Sequence, residues 1–348
     1  MVSYYPSLNR PEAPDCSVCI ANYNGIRWLA DCIESVLAQQ GDATCEILIH
    51  DDASTDGSVA WLREHYPQVE VLASSENVGF CIGNNRMVAH ARGEYVLLLN
   101  NDAALHANAL ATFIAASRKQ ATAGILTLPQ YDWTSGQLVD RGCLLDPFYN
   151  PVPNLDAARA DVAYAIGACL FLPRELWNEL GGFPEWMGSI AEDIYLCCLA
   201  RLRGAPVMVL SHSGFRHRLG ATFGGARVRG NSLKTTLRRR HLSERNKTYA
   251  LFVCTPGPSV WVLLMVHLLA LLLEGGILST LKWDRGVFSN IYAKVPVSLF
   301  RDFGRLRAIR RCVQAGRTTG ARIYFRPFTW VPSKVQMLFR FGIPEISA

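Results

Sequence analysis

The sequence predicts an α/β fold, with a mostly parallel sheet flanked by helices and a C-terminal helical extension of different character. Two patterns and one change of composition lead there. Short β-rich runs alternate with runs of helical period through the first 210 or so residues, which is the mark of βαβ units. Turn-forming polar residues follow almost every strand-like run. Past residue 250 the chain turns basic and apolar, with one nearly unbroken hydrophobic stretch.

In chain order, residues 16–21 read as a strand. Between 28 and 37 the apolar positions Trp28, Leu29, Cys32, Ile33, Val36 and Leu37 fall one helical turn apart and mark an amphipathic helix. Residues 46–50 form a second strand, and the turn-rich segment 51–57 opens another helix. Strands at 69–73, 95–99 and 124–128 continue the series, with helices near 82–91 and 107–118 between them. Residues 130–160, rich in Pro, Asp, Asn and Gly, read as an irregular excursion. Residues 164–172 are strand-like again, and Pro173 suits the first turn of a helix. A helix over 192–203 and a strand over 206–210 complete this part, and no internal repeat is visible. The expected organisation is an N-terminal tail over 1–14 and an α/β domain over 15–250. That domain divides into two halves, 15–128 and 129–250, and a basic, apolar helical region over 251–348 follows.

Charge divides the chain as sharply as pattern does. The net +6 is the sum of an acidic part, residues 1–200 with 10 Lys/Arg and 24 Asp/Glu, and a basic part, residues 201–348 with 25 Lys/Arg and 5 Asp/Glu. A basic region of that kind faces nucleic acid or lipid headgroups. The apolar run over 260–273, interrupted by His267, favours lipid. Its fourteen residues rise only ~21 Å as a helix, short of a ~30 Å hydrocarbon core, so an in-plane or partly inserted helix is expected rather than a span. Arg301, Arg305, Arg307, Arg310 and Arg311, interleaved with Leu299, Phe300, Phe303, Leu306 and Ile309, form a basic amphipathic pattern suited to an anionic membrane surface. The first fourteen residues are polar and proline-bearing, unlike a secretory signal or anchor. With no such signal, the eleven irregularly spaced cysteines, including Cys16 and Cys19 inside a strand, read as reduced thiols, mostly buried.

Ligands of such sheets bind beyond the carboxyl ends of the strands, so the residues just after each strand are the candidates. They are Asn22-Tyr23-Asn24-Gly25, then Asp51-Asp52-Ala53-Ser54-Thr55-Asp56, whose carboxylates suit a uracil or thymine N–H or ribose hydroxyls. Next come Asn77-Val78-Gly79-Phe80 and Gly83-Asn84-Asn85-Arg86, where small residues permit close approach of a base and Arg86 suits a phosphate. After the strand at 95–99 stands Asn100-Asn101-Asp102, an economical ligand set for a hard cation.

In this order the blocks resemble family 2 glycosyltransferases with the GT-A fold. The blocks are Ile20-Ala21-Asn22-Tyr23-Asn24, Asp51 to Asp56, Asn77 to Phe80, Leu97 to Asp102, Gly181-Gly182-Phe183-Pro184-Glu185, Ala191-Glu192-Asp193-Ile194 and His217-Arg218-Leu219-Gly220-Ala221-Thr222. They resemble most the rhamnosyltransferase-like branch of bacterial cell-surface polysaccharide synthesis, over about residues 15–250. The resemblance implies a Rossmann-like sheet and transfer of a sugar, rhamnose in that branch, from a nucleotide-diphosphate donor (dTDP-, UDP- or GDP-linked) to a lipid-linked glycan. The expected place is the cytoplasmic face of the plasma membrane. It implies donor contacts at Ala21, Tyr23, Asp51, Ser54, Asn77, Gly79, Asn85, Arg86 and Asn101. Mn²⁺ or Mg²⁺ is implied at Asp102 and His217, with His212 the weaker alternative. Asp193 is implied as catalytic base, and the acceptor side at Gly182, Trp186 and Glu192. Two departures stand out: Asn100 replaces the first Asp of the family's D-x-D metal motif, and Tyr195 replaces the second Asp of E-D-x-D-L. Arg238 to Arg240 and Arg245-Asn246 resemble a basic stretch of that branch, suited either to clamping a diphosphate or simply to forming a solvated basic face.

Two other classes compete. A nucleotidyltransferase is expected to carry a Gly-rich, Arg/Lys-bearing loop after its first strand, and Asn22 to Gly25 is not one. A non-catalytic binder is disfavoured by the intact Glu192-Asp193, and nucleic-acid binding by the scarcity of aromatics among residues 238–247.

Overall fold

The computed structural model describes residues 1–9, 11–218, 220, 227–229, 232–334, 337, 339, 342 and 345–347. They divide into two compact units, one of residues 1–143, 153–196 and 205–218 and the other of residues 144–152, 197–204 and 219–348.

The first unit is built on strands β1 (Val2–Tyr5), β2 (Cys16–Asn22), β3 (Cys45–Asp51), β4 (Glu70–Ser74), β5 (Tyr95–Asn100), β6 (Ala103–Leu105), β7 (Ile125–Thr127), β8 (Gln130–Asp132) and β9 (Leu138–Asp140). Next in chain order come β10 (Cys143–Leu145) and β11 (Pro151–Pro153), which pair with each other and belong mostly to the second unit. The first unit continues with β12 (Cys169–Pro173), β13 (Val207–Val209) and β14 (Phe215–His217). The main sheet runs β1-β4-β3-β2-β5-β12-β7-β13. Strands β4, β3, β2 and β5 are parallel, while β1 and β12 run against their neighbours. The chain steps outward from β2 to β3 and β4, then crosses back to β5 on the other side of β2. A crevice therefore opens beyond the ends of β2 and β5.

Helices α1 (Ile26–Leu37), α2 (Ser58–His65), α3 (Phe80–His90) and α4 (Ala109–Lys119) cover the sheet. Leu29, Ile33 and Val36 of α1, Leu62 of α2 and Leu110 and Phe113 of α4 share one buried cluster with Val18, Ile20, Ile47, Ile49, Val71, Leu97 and Leu99. These strand positions alternate, so α1, α2 and α4 lie on one face. Helix α3 packs on β2 and β3 from the other face, where Gly83 abuts the His50 ring.

Two expectations need correction. Residues 1–14 are not simply a tail: β1 is an edge strand whose Val2 pairs with Ser74, and the Tyr4 hydroxyl donates to Glu70 (2.6 Å). Four short strands, β8 to β11, replace the irregular excursion at 130–160; β8 aligns with β14 in a second sheet, β6-β14-β8-β9. The main sheet is mostly parallel as expected, with β1 and β12 the reversed strands.

In the second unit, helix Ser259–Leu281 has 23 residues, a rise of about 34 Å. It runs past Glu274 because its polar residues point inward. Glu274 bonds Lys334 (2.7 Å), Arg240 and the Tyr292 hydroxyl (3.0 Å), and His267 bonds the Thr248 hydroxyl (2.8 Å). Fully buried Glu244 adds ion pairs to Lys334 (2.9 Å), Arg240 (3.2 Å) and Lys247 (3.4 Å). Gly275 lets Tyr292 approach; a Cβ there would lie 2.5 Å from the Tyr292 side chain. The opposite face of the helix exposes Val262, Met265, Val266, Leu269, Leu273, Ile277 and Leu281. Arg240 and Lys247 thus sit in a buried ionic core, and Arg245 lies against the Tyr249 ring and bonds the Asn246 amide (2.9 Å). At these positions the basic stretch is a packing device, not the open clamp expected.

Candidate active site

The site grows from the crevice at the ends of β2, β3 and β5, all within the first unit. Asn22 ends β2, and its side-chain amide donates to Asp51 at the end of β3 (2.8 Å). Its carbonyl oxygen accepts from the Asn101 amide just past β5 (2.7 Å). Three adjacent strand ends are thereby tied through one buried amide. Gly25 makes room for this tie: a Cβ there would fall 2.1 Å from the Asn101 amide nitrogen and 2.6 Å from the Asn22 oxygen. The other Asp51 oxygen accepts the Ser54 N–H (2.9 Å), and the Ser54 hydroxyl accepts the Asn24 N–H (2.8 Å). Asn24 and Ala53 both hold positive φ, 49° and 62°, so the two loops are wound tightly around the Asp51 carboxylate.

Asp52 has a different task. Its two oxygens accept the Val78 and Gly79 N–H groups (2.7 and 2.9 Å), pinning the start of α3 beside the strand ends. Arg86, further along α3, reaches Ser74 (3.3 Å) and His50 (3.4 Å) at the ends of β4 and β3. Burial, first of all, lowers the pKa of His50, and the Arg86 charge adds to this.

Asp102, fully buried, lies one residue beyond Asn101, and its carboxylate contacts His217 Nε2 (3.1 Å). His217 comes from β14, whose pairing with β6 sets it opposite Ala103. Its other ring nitrogen, Nδ1, is buried with no hydrogen-bond partner among the described residues. Asp140 is close enough to feel the His217 charge, but burial dominates and pushes its carboxyl up to about 6. A single carboxylate and an imidazole fit a divalent cation held largely by substrate phosphates, not a resident structural metal. No group of three or more metal-binding side chains occurs among the described residues.

Asp193 stands in the first turn of the helix Glu192–Leu202. One of its oxygens accepts the Gly167 N–H (3.1 Å), and the carbonyl of the next residue, Ala168, accepts the Asn100 N–H (3.2 Å). Two hydrogen bonds thus connect Asp193 to the Asn100–Asp102 segment. On its other side the Gly188 carbonyl accepts the Cys81 N–H (3.1 Å), and the charges of Glu192, Asp193 and Glu185 add to the burial that pushes the Cys81 thiol far up. The two residues before the acidic pair, Ile190 and Ala191, have φ of 73° and 69°. A β-branched residue in that region is strained, and such strain concentrates at functional sites.

Asp51, Asp102 and Asp193 are therefore joined by a continuous series of short contacts. Residues 17–181 match the family model Glycosyl transferase family 2. Among related proteins, chondroitin synthase of Escherichia coli is 29% identical over 55% of this chain and 27% of its own length. N-acetylglucosaminyl-diphospho-decaprenol L-rhamnosyltransferase of Mycobacterium tuberculosis is 25% identical over 47% of this chain and 64% of its own. The chain spans about a quarter of the length of the first relatives it matches, 21–27%. The crystal structure of GalNAc-T7 with UDP, GalNAc and Mn2+ superimposes with a TM-score of 0.55 at 14% identity, over 70% of this chain and 48% of that one. At that identity the likeness speaks for the fold. Family model and relatives together support a glycosyltransferase.

The other expected residues fall as follows. Ala21 is half-buried next to Asn22 on β2, Tyr23 and Asn77 are exposed on the loops, and Gly79 (φ 91°) sits under the Gly188 carbonyl. The Asn85 amide both donates to the Phe183 carbonyl (2.9 Å) and accepts the Phe183 N–H (3.0 Å). It holds the Gly182–Phe183 turn. Gly182 is needed there, since a Cβ would lie 2.8 Å from the Asn85 oxygen. Trp186 packs edge-on against Tyr195 (5.7 Å), and Glu192 is buried. Leu219, Ala221 and Thr222, the end of the last block, lie outside the described residues; Gly220 is described, with φ 67°.

Reading from sequence named Asn22, Gly25 and Asp52 among the candidates after the strands without giving each an individual role, and passed over Asp140 and Gly167. Asn22, Gly25 and Asp52 stood inside the motif blocks, so position after a strand was a usable signal. Gly167 and Asp140 had none. Also unforeseen, the Arg218 guanidinium lies near the Trp133 ring (3.3 Å) and the Trp28 ring (4.7 Å) and bonds Asp31 (2.6 Å), while the Arg218 backbone N–H donates to the Asp102 carbonyl (3.0 Å).

Proposed function

We propose that this chain is an inverting, metal-dependent glycosyltransferase of cell-surface polysaccharide synthesis. It moves a sugar, rhamnose in our reading, from a nucleotide-diphosphate donor to a lipid-linked glycan at the cytoplasmic face of the membrane. The observation that carries the reading is the Asp51–Asn22–Asn101 tie across three strand ends, with Asp102, His217 and Asp193 attached to it through short contacts. The relative named as acting on a decaprenol-linked diphosphate supports a lipid-linked acceptor, as does the exposed apolar helix of the second unit.

In this reading Asp51 and Ser54 receive the nucleoside, and Gly79 and Arg86 lie along the donor's path. Asp193 accepts the proton of the acceptor hydroxyl as that oxygen bonds to the anomeric carbon. The bond from the anomeric carbon to the diphosphate breaks on the opposite side, and the nucleoside diphosphate leaves with the electron pair. The Gly167 N–H fixes the direction of the Asp193 carboxylate, which limits the reorganisation needed at the moment of transfer. Asp102 and His217 would hold Mn²⁺ or Mg²⁺, which when bound offsets the charge building on the leaving diphosphate.

The test incubates the purified protein with UDP-, dTDP- and GDP-sugars and Mn²⁺ or Mg²⁺, following thermal stability and nucleoside diphosphate release. One donor class is expected to raise Tm by several degrees, and Asp51→Ala to abolish the shift. If no donor changes Tm, or if Asp51→Ala responds like the parent, the reading fails.

A further inference from the structure

The second unit contains a cavity of ≈ 330 Å³ lined by Phe252, Gly257, Trp261, Gln314 and four arginines, Arg307, Arg310, Arg311 and Arg317. Two of its side chains are fixed in place. Arg310 donates to the carbonyls of Phe252 (2.7 Å), Thr255 (2.7 Å) and Gly257 (2.9 Å), closing the end of helix Leu237–Cys254, and Gln314 donates to that of Val253 (3.0 Å). Arg307, Arg311 and Arg317 are exposed and have no acidic partner among the described residues. Asp302, the sole carboxylate on helix Lys294–Ala315, is already taken by Arg301 (3.3 Å), Arg305 (3.3 Å) and the Tyr249 hydroxyl (2.7 Å). Guanidinium groups gathered round one cavity without counter-charge repel one another, and an anion with several acceptor oxygens relieves this.

What kind of anion follows from the remaining wall. Trp261 is half-exposed at the cavity and belongs to the first turn of helix Ser259–Leu281, whose exposed face continues as Val262, Met265, Val266, Leu269, Leu273 and Ile277. An apolar face beginning at the edge of an arginine cavity matches a molecule with a phosphate head and a hydrocarbon tail. We propose that this cavity binds the phosphate or diphosphate headgroup of an anionic membrane lipid, the apolar helix face lying against the acyl region. The inference rests on the membrane-associating part of the function proposed above and is independent of its transfer chemistry.

The test measures co-sedimentation of the full chain with phosphatidylcholine vesicles, with and without one fifth phosphatidic acid. The parent is expected to bind the anionic vesicles. Arg307→Gln with Arg311→Gln is expected to bind them about 30-fold more weakly. Arg301→Gln with Arg305→Gln, which removes equal charge outside the cavity, is expected to lose no more than about three-fold. Equal loss in both pairs would reduce the cavity to part of a diffuse basic surface and overturn the proposal. Tm in free pyrophosphate separates the sources: a rise in Tm without vesicle binding identifies a soluble anion and overturns the lipid assignment. The donor-induced Tm shift, read on the same variants, is expected to be unchanged, so loss of vesicle binding with an intact donor shift leaves the transfer reading standing.

Discussion

The two units place polar and apolar groups in opposite ways. In the first, hydrophobic side chains fill the space between sheet and helices, and charged or amide groups gather where the strands end. In the second, Glu244, Lys247 and Arg240 are inside, while large aliphatic residues of Ser259–Leu281 face outward. The lesson concerns surroundings. A buried ionic core with an oily exterior suits a region bordering hydrocarbon, whereas an apolar core with a polar rim suits one that binds a hydrophilic donor.

The comparison can be broken most sharply at Asp193. Asp193→Asn keeps an oxygen to accept the Gly167 N–H but cannot take a proton, so transfer is expected to fall about 10³-fold while the donor-induced Tm shift persists. Near-parental turnover would remove Asp193 from the mechanism. In the second unit, Glu244→Gln leaves Arg240, Lys247 and Lys334 without their shared carboxylate and is expected to cost about 3–5 kcal/mol in denaturant unfolding. A loss below about 1 kcal/mol would mean that water or rearrangement replaces the ion pairs.

Asp140 offers a smaller, pH-dependent effect. Burial raises its carboxyl from 3.8 to about 6 in the folded protein. A raised carboxyl pKa favours the folded state while protonated, so its contribution is fully present below pH ~4 and lost as pH rises through ~6. Asp140→Asn is expected to gain up to about 3 kcal/mol over the parent at pH 7.5 and almost nothing at pH 4, read from urea midpoints. The smallest effect on stability is expected from Leu269→Ser with Leu273→Ser, within about 0.5 kcal/mol, because both side chains are exposed. Vesicle binding by that variant is expected to drop severalfold, and retained binding would refute the oily-exterior account.

Much of the first unit was legible because burial there follows period. The apolar positions of α1 and the unbroken hydrophobic runs of β2, β3 and β5 announce their elements, and their ends then locate Asp51, Asn101 and Asp102. The four residues of β1 carry no such pattern: a short edge strand is fixed by its partner β4, which local sequence does not reveal. The hold of Asn85 on Phe183 was not legible for a related reason, since the two lie 98 positions apart. The apolar helix was read short because Glu274 looks like a terminator until Arg240 and Lys334 are seen to neutralise it.

The left-handed pair Ile190–Ala191 carries a consequence for the helix start that follows it. Glycine suits both positions better, so Ile190→Gly is expected to relax the backbone just before Glu192 and Asp193. Under the function proposed above, such a chain is expected to be sturdier and a poorer catalyst, because a slacker approach holds the acidic pair less firmly.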